Sequence, residues 1–146
     1  MPTPAENAVT VFGQSFNCSQ AVFSAFAGQF GLDKQTALKL ASPFGGGVAH
    51  RGEICGAVTG ALLALGLAHG ASTPAGKADI YRLSQEFLRQ FEEKHGALHC
   101  RELIACDIST PEGWQEAKET GKFTNVCPAL VRGAAELVQT LLETSR

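Results

Sequence analysis

The sequence predicts an all-α fold, a compact single-domain helical bundle built around a buried central helix. No stretch alternates apolar and polar residues over the length of a strand, whereas apolar residues recur about every 3.6 positions along the chain. With 146 residues and no internal repeat, the chain is long enough for one domain, 1–146, whose core needs no cross-links. We therefore expect helices packed on helices, with the least charged helix at the centre.

Four helices are predicted in the first half of the chain. Asn17 and Asp33 are good N-caps for the second and third helices, and Gly31 is a stop signal between them. The fourth helix carries no charged residue, which is typical of a buried, central helix. A glycine-rich loop over residues 43–52 precedes it. The predicted ranges are Ala5–Phe12, 18–30, 34–40 and Ile54–Leu67.

Three further helices are predicted in the second half. Thr73 and Pro74 open a long amphipathic helix, which Gly96 ends. Its apolar residues at Ile80, Leu83, Phe87 and Phe91 mark one face. The chain continues with a short helix over His99–Ala105, a polar stretch over 107–122 and a last helix over Pro128–Glu143.

Charge and hydropathy argue against two classes of partner. The chain has 12 Lys+Arg and 14 Asp+Glu, a net charge of −2, without the basic cluster that binds a phosphate backbone, so nucleic acid is not expected. The longest apolar segment, Ile54–Ala68, is shorter than the roughly 20 residues of a membrane span. The first residues lack the pattern of a secretory signal. We therefore expect a cytoplasmic protein without membrane insertion, in a compartment where permanent disulfides are uncommon.

Charged residues are concentrated in the second half of the chain. Residues 1–73 contain 3 basic and 3 acidic side chains, against 9 and 11 in residues 74–146. A half with so few charges has to bury its surface, either under the other half or against another subunit. The sequence therefore predicts a homo-oligomer, and we expect a dimer.

Four of the five cysteines begin predicted helices. Cys18 follows the Asn17 cap, and Cys55 starts the buried helix. Cys100 lies in the first turn of the short helix, and Cys127 directly precedes Pro128. The N–H groups and dipole at a helix N-terminus favour negative charge, so this position lowers the pKa of a thiol and stabilises the thiolate that attacks disulfides or binds metals. The fifth residue, Cys106, ends a helix and is a weaker candidate.

The spacing of the cysteines argues against several familiar sites. There is no C-x-x-C pair, so thioredoxin-type exchange, zinc ribbons and the bacterial ferredoxin run have no signature here. The C-x-x-C-H motif of covalent haem attachment is missing as well. Because each cysteine lies on a separate helix, any shared site has to be assembled by tertiary folding or across a subunit interface.

Five short motifs occur in order along nearly the whole chain. They are Asn17-Cys18-Ser19-Gln20-Ala21-Val22, Phe44-Gly45-Gly46-Gly47, Cys55-Gly56-Ala57-Val58-Thr59-Gly60, Cys100-Arg101-Glu102-Leu103 and Cys127-Pro128. In these motifs the chain resembles the family of putative redox-active proteins recognised by a C…CGAxxG…C…C pattern. The resemblance implies a small protein with a redox role and four characteristic cysteines. Carried over to this sequence, they are Cys18, Cys55, Cys100 and Cys127.

The glycines around Cys55 are candidates for contacting a cofactor. Gly45, Gly46 and Gly47 allow the backbone to pass close to Cys55, but their loop lacks the Gly-Lys-Ser/Thr ending of a nucleotide-binding loop. Gly56 and Gly60 lie one turn apart on the same helix face, where another backbone can approach closely. Ordinary tight packing is the simpler interpretation of this pair, and a dimer seam or room for a cluster is the functional one.

Three histidines and one glutamate are weaker candidates. His50 and Glu53 flank Cys55 and are candidates to assist its deprotonation, although polar residues are common at loop ends. His95 and His99, four residues apart, form a conceivable zinc set with Cys100, but Gly96 interrupts the helix that would bring them together. Zinc binding through these three residues is therefore disfavoured.

The sequence leaves three interpretations open. The first is a thiol-based redox protein in which two of the four cysteines exchange between dithiol and disulfide with a redox partner protein. The second is a protein whose four thiolates hold an iron–sulfur cluster or another metal. The third is a helical interaction module with cysteines in its core. Four cysteines allow three pairings, and the sequence does not choose among them. It also contains no recognisable set of nucleophile, base and acid, so it predicts no enzymatic reaction.

Overall fold

Helices account for most of the chain, as the apolar periodicity predicts. The computed structural model describes residues 1–145, and these residues form nine α-helices and no strand. Within the described range, no helix is both long enough and apolar enough to cross a membrane. The helices are α1 (Pro4–Phe12), α2 (Cys18–Ala27), α3 (Lys34–Ala41), α4 (Gly56–His69), α5 (Lys77–His95), α6 (Cys100–Leu103), α7 (Pro111–Glu119), α8 (Lys122–Asn125) and α9 (Cys127–Thr144).

Side-chain caps position the first three helices, and those of α2 and α3 are the predicted ones. Thr3 caps α1, and the Asp33 side chain accepts from the Thr36 amide at the start of α3. Asn17 forms a capping box with Gln20 at the start of α2, so both orphan amides of that end are satisfied. Gly31 has the left-handed backbone of a stop signal, φ 86°, at the end of a short 3-10 turn that follows α2. The helix boundaries predicted from these signals are confirmed to within a few residues.

The main core forms around α4, as the sequence predicts for its least charged helix. Small residues let neighbouring helices approach α4 closely: a Cβ on Gly60 would lie 2.6 Å from the Ser19 carbonyl oxygen of α2. The largest core side chains are those of Phe26, Phe87 and Phe91, all nearly fully buried. Burying a side chain of this size stabilises the fold by about 1.5–3 kcal/mol. Helices α2, α5 and α9 pack against α4, and α1 packs against α2 and α9.

A second, smaller apolar cluster is formed by the segment from α6 to α8. Ile104, Ile108 and Ala117 are buried there, and Trp114 and Phe123 pack against them with ring centroids 5.9 Å apart. Cys100, Cys106 and Cys127 belong to this cluster, whereas Cys55 belongs to the main core. The cysteines predicted to act together therefore lie where the two apolar clusters meet.

The fold differs from the sequence prediction at several places, among them the short helix α8, which was not predicted. The polar stretch 107–122 contains α7, which begins with the Thr110 cap and Pro111, a strong start signal. This helix buries only Gly113 and Ala117, so its apolar periodicity was too sparse to reveal it. In addition, α4 begins at Gly56 rather than at Ile54, because Ile54 forms an isolated antiparallel bridge with His99.

Candidate functional site

The four helix-start cysteines line one cavity. This cavity has a volume of about 230 Å³ and is walled mainly by apolar side chains. Cys18 begins α2, Cys55 is the N-cap of α4, Cys100 begins α6 and Cys127 begins α9. Four helix N-termini that lie far apart in the sequence therefore converge on the same small volume. Cys18 is partly exposed, and the other three are buried.

The capping box fixes Cys18 at the start of α2. The Asn17 side-chain amide also donates to the Ser42 carbonyl at 3.0 Å, and the Gln20 side-chain amide donates to the Leu38 carbonyl at 3.0 Å. These two hydrogen bonds tie the start of α2 to the end of α3. On the other side of α2, the hydroxyl of Thr59 in α4 donates to the hydroxyl of the fully buried Ser19 at 3.2 Å. The backbone at Cys18 is therefore held in place by hydrogen bonds to the end of α3 and to α4.

The isolated bridge between Ile54 and His99 brings Cys55 and Cys100 side by side. The Cys55 amide donates to the Leu98 carbonyl at 2.8 Å, and the Cys100 amide donates to the Glu53 carbonyl at 2.6 Å. Sequence reasoning missed this bridge, because a contact of single residues leaves no alternating pattern. Its consequence is that two cysteines 45 positions apart in the sequence share one wall of the cavity.

The glycine loop closes the cavity with an unusual backbone. Five consecutive residues, Gly46–His50, have positive φ values between 50° and 69°, which forms one left-handed turn. Left-handed backbone costs roughly 1–2 kcal/mol for a residue with a side chain, so Val48, Ala49 and His50 are strained. The amides of Gly52 and Glu53 donate to carbonyls at the start of the turn, at 3.1 and 2.9 Å, and hold it in place.

Two glycines make the approach to the cysteines feasible. A Cβ on Gly47 would lie 2.7 Å from the Cβ of Cys100, and a Cβ on Gly56 would lie 3.1 Å from the Cβ of Cys18. Arg101 holds the end of the loop from outside, since its guanidinium donates to the carbonyls of Gly52 and Arg51 at 3.1 Å each. The loop is thus fixed against the cavity by packing and by hydrogen bonds.

Cys18 and Cys127 influence each other's ionisation. Hydrogen bonding with Cys18 lowers the pKa of Cys127, although burial opposes this change. The same hydrogen bond, together with burial and the nearby Cys55, holds the pKa of Cys18 well above its ordinary value. Loss of one proton therefore leaves Cys127 as the thiolate and Cys18 as its donor. This is the arrangement of a nucleophilic sulfur with a second sulfur beside it.

Burial has the opposite effect on the other two cysteines. It raises the pKa of Cys55 to about 11, even though the backbone amides of Ala57 and Val58 at the helix start act to lower it. Burial and the nearby Cys55 and Cys127 raise the pKa of Cys100 to about 12. The expectation of a lowered thiol pKa at all four helix starts is therefore correct in direction for Cys127 alone, and there the cause is hydrogen bonding with Cys18 rather than the helix N-terminus. At the other three positions, removal from water or a donated hydrogen bond outweighs the helix N-terminus.

The glycine and cysteine candidates fall into two groups. Gly46, Gly47 and Gly56 line the cavity together with the four cysteines. Gly45 instead contacts the Asn17 side chain, and Gly60 contacts the backbone of α2. Cys106 is buried in the smaller apolar cluster and is not part of the cavity wall.

The weaker polar candidates lie away from the sulfurs. Glu53 pairs with Arg51 at 3.4 Å, and His50 is exposed on the loop. His99 pairs with Glu102 at 3.7 Å on the surface, while His95 packs against Phe91 with ring centroids 4.4 Å apart. Across residues 1–145, no three His, Cys, Asp or Glu side chains are grouped to hold a metal ion.

Sequence reasoning missed the apolar wall of the cavity. Its residues come from α1, from the segment between α6 and α8, and from α9, so no local pattern joins them. Among the described residues of the wall, none is charged. The apolar residues are Phe12, Leu103, Ile104, Ile108, Trp114, Phe123 and Leu130.

Comparison with known proteins gives one match. The model of a family described as "Putative redox-active protein (C_GCAxxG_C_C)" matches residues 16–141, most of the chain. The pattern in the family's description puts glycine before the second cysteine, whereas here Gly56 follows Cys55; the interval from Ala57 to Gly60 is the same as in the pattern. No curated protein and no solved structure gives a significant match.

Proposed function

The chain belongs to the C_GCAxxG_C_C family of putative redox-active proteins, and from this premise we propose that it works by thiol–disulfide exchange between Cys18 and Cys127. The observation that carries the proposal is the interaction between the Cys18 and Cys127 thiols, which shifts their pKa values in opposite directions. The two residues begin helices α2 and α9, whose starts line the same cavity. A disulfide between them requires that these helix starts bring the two Cα atoms within about 7 Å of each other.

The exchange proceeds in two steps. The Cys127 thiolate attacks one sulfur of a disulfide partner, a mixed disulfide forms, and the other half of the partner leaves as a thiolate. Cys18 then loses its proton and attacks the Cys127 sulfur, which releases the second half of the partner. Overall, two protein thiols are oxidised to one disulfide, and the partner disulfide is reduced to two thiols. The reverse sequence oxidises a dithiol partner.

The pKa shifts of the four thiols support these roles. Cys18 is the one cysteine of the four that is partly exposed, and Cys127 carries the lowered pKa. Cys55 and Cys100 are buried and keep their protons at neutral pH, so neither competes as a nucleophile. In this function they form the wall of the cavity behind the reacting pair.

A second candidate function rests on the number of cysteines at the cavity. Cys18, Cys55, Cys100 and Cys127 provide the four thiolates that iron–sulfur clusters take, in a space without charged side chains. A single tetrahedral zinc would need its sulfur ligands about 3.8 Å apart, given a Zn–S distance of about 2.3 Å. Across residues 1–145 no three side chains are grouped to hold one ion, so the observation that favours a cluster is the number of thiols at one cavity. When bound, it would supply one-electron transfer.

The two candidates are separated by colour and thiol count. Protein purified without oxygen is expected to be colourless, and diamide, which removes one hydrogen atom from each of two thiols, is expected to reduce the count of five thiols by two. Brown protein with iron and acid-labile sulfide would favour the cluster instead. If all five thiols stay unreactive until the protein is denatured, the result would favour the third interpretation, a helical interaction module with cysteines in its core.

Matched variants make this experiment specific. Cys18→Ser and Cys127→Ser are each expected to abolish the loss of two thiols. Cys106→Ser is the control, because Cys106 is buried but does not line the cavity. It leaves four thiols, of which two are expected to disappear on oxidation. If Cys106→Ser alone prevents the loss, the proposed pair is wrong.

A further inference from the structure

The walls of the cysteine cavity carry no charge with which to recognise a charged partner. None of the described residues that line it is charged, and Asn17 is its one polar side chain other than the cysteines. Both polar atoms of the Asn17 side chain already have partners: its oxygen accepts from the Gln20 backbone amide, and its nitrogen donates to the Ser42 carbonyl. Two cations lie nearby without lining the cavity: Lys118 lies over the ring of Trp114, 5.3 Å from its centroid, and the Arg101 guanidinium is held by the carbonyls of Gly52 and Arg51.

The size of the cavity limits what it can receive. Its volume is about 230 Å³, whereas an apolar cavity of about 150 Å³ already holds a benzene molecule in another protein. The space next to the sulfurs therefore accommodates one substituted aromatic ring or an aliphatic group of similar size. The rings of Phe12, Trp114 and Phe123 offer contacts to such a group.

We infer that the site takes a small, uncharged disulfide with an aromatic or aliphatic body, one half of which enters the cavity while its sulfur meets Cys127. This inference rests on the proposed exchange between Cys18 and Cys127 and specifies its substrate class. The Cys127 thiolate attacks the inserted half, and the outer half leaves as a thiolate. Attack by Cys18 on the Cys127 sulfur then releases the inserted half, so that one substrate disulfide becomes two thiols.

The same cavity disfavours charged disulfides. A carboxylate or ammonium group that enters an apolar space loses its hydration and finds no partner there. Glutathione disulfide and aromatic disulfides with carboxylates are therefore expected to react slowly, even though their disulfide bonds are chemically competent. Selectivity comes from the uncharged wall rather than from the sulfurs.

A pair of aromatic disulfides tests this selectivity on the full chain. Dithiodipyridine is uncharged at neutral pH, and dithiobis(nitrobenzoate) carries two carboxylates. Each releases a coloured thiol, so the rate of the first exchange is read directly. The rate with the urea-unfolded protein corrects for the intrinsic reactivity of each probe. After this correction, the folded protein is expected to prefer the uncharged probe by at least about tenfold. Glutathione disulfide is expected to behave like the carboxylate probe.

A charge placed in the wall should remove most of the preference. Leu103 lines the cavity and is partly buried, so Leu103→Lys is expected to raise the corrected rate of the carboxylate probe by about tenfold. Leu40→Lys is the matched control, because Leu40 is 53% exposed on α3 and does not line the cavity. Helicity and urea midpoints show whether both variants are folded. If Leu103→Lys is unfolded, the ratio of the two probe rates on the unmodified protein still tests the proposed substrate class.

The outcomes separate this inference from the exchange on which it rests. Equal corrected rates for the two aromatic probes would overturn the substrate class, while formation of the Cys18–Cys127 disulfide with diamide would leave the exchange intact. Failure of diamide to form that disulfide would overturn the exchange, whatever the probes show.

Discussion

The hydrogen bond from Cys18 to Cys127 predicts how the reactivity of Cys127 depends on its neighbour. Cys18→Ala removes the donor, whereas Cys18→Ser replaces the thiol with a hydroxyl that still donates. A hydrogen bond to a charged group contributes about 1.5–3 kcal/mol, and a thiol is a weak donor. We therefore take the lower end, about 1.5 kcal/mol, which corresponds to slightly more than tenfold in the ionisation equilibrium of Cys127.

The sign of the effect follows from the thiolate. The pKa of Cys127 is lowered because its sulfur accepts the hydrogen bond from Cys18, so loss of the donor raises that pKa and lowers the thiolate fraction at neutral pH. Alkylation of Cys127 by iodoacetamide should then be about tenfold slower in Cys18→Ala, and within about threefold of the unmodified protein in Cys18→Ser. The rate is measured against pH by mass spectrometry of the peptide containing Cys127.

Two results would refute this reasoning. If both variants label Cys127 at the rate of the unmodified protein, the hydrogen bond does not stabilise the thiolate. If both variants are slowed equally, the effect comes from packing around position 18 and not from the donor.

Three further predictions concern the fold and the assembly. Gly47→Ala places a Cβ 2.6 Å from the Glu53 amide nitrogen at φ +69°, so it should lower the free energy of unfolding by about 2–4 kcal/mol. Gly31→Ala is the control, because position 31 has φ +86° but open space around it, and it should lower the free energy of unfolding by about 1–2 kcal/mol. Gly60→Ala should lower it by at least about 2 kcal/mol, because its Cβ meets the Ser19 carbonyl, whereas Gly66→Ala, with nothing within 4 Å, should raise it by up to about 1 kcal/mol. Urea titration measures all four free energies of unfolding. A larger loss for Gly31→Ala than for Gly47→Ala, or for Gly66→Ala than for Gly60→Ala, would contradict the packing described. The homodimer predicted from the charge distribution is expected as a dimer in sedimentation at micromolar concentration, and a clean monomer would remove it.

Helix positions were predictable because their signals are local. The Asn17 capping box, the Asp33 cap and the Gly31 stop each lie within a few residues of the boundary that they set. The uncharged stretch that became α4 was equally legible, because a helix without charges is stable only when it is covered. The grouping of four cysteines at helix starts followed from the same signals.

The chemistry of the site was less predictable, because it depends on contacts between distant segments. The Ile54–His99 bridge, the left-handed turn at Gly46–His50 and the apolar wall all join residues that share no local pattern. A helix start favours a thiolate only while water or a donor remains to stabilise it. Burial reverses that preference at Cys55 and Cys100, and burial cannot be read from the residues beside them.

The central claim is that Cys18 and Cys127 form the exchanging pair, and its most direct test is a disulfide map of the oxidised protein. The full chain is treated with diamide, its remaining thiols are alkylated during denaturation, and the peptides are separated without reductant. We predict one cross-linked peptide that joins Cys18 to Cys127, with Cys55, Cys100 and Cys106 alkylated. A cross-link between any other pair, or five alkylated cysteines, would contradict the claim.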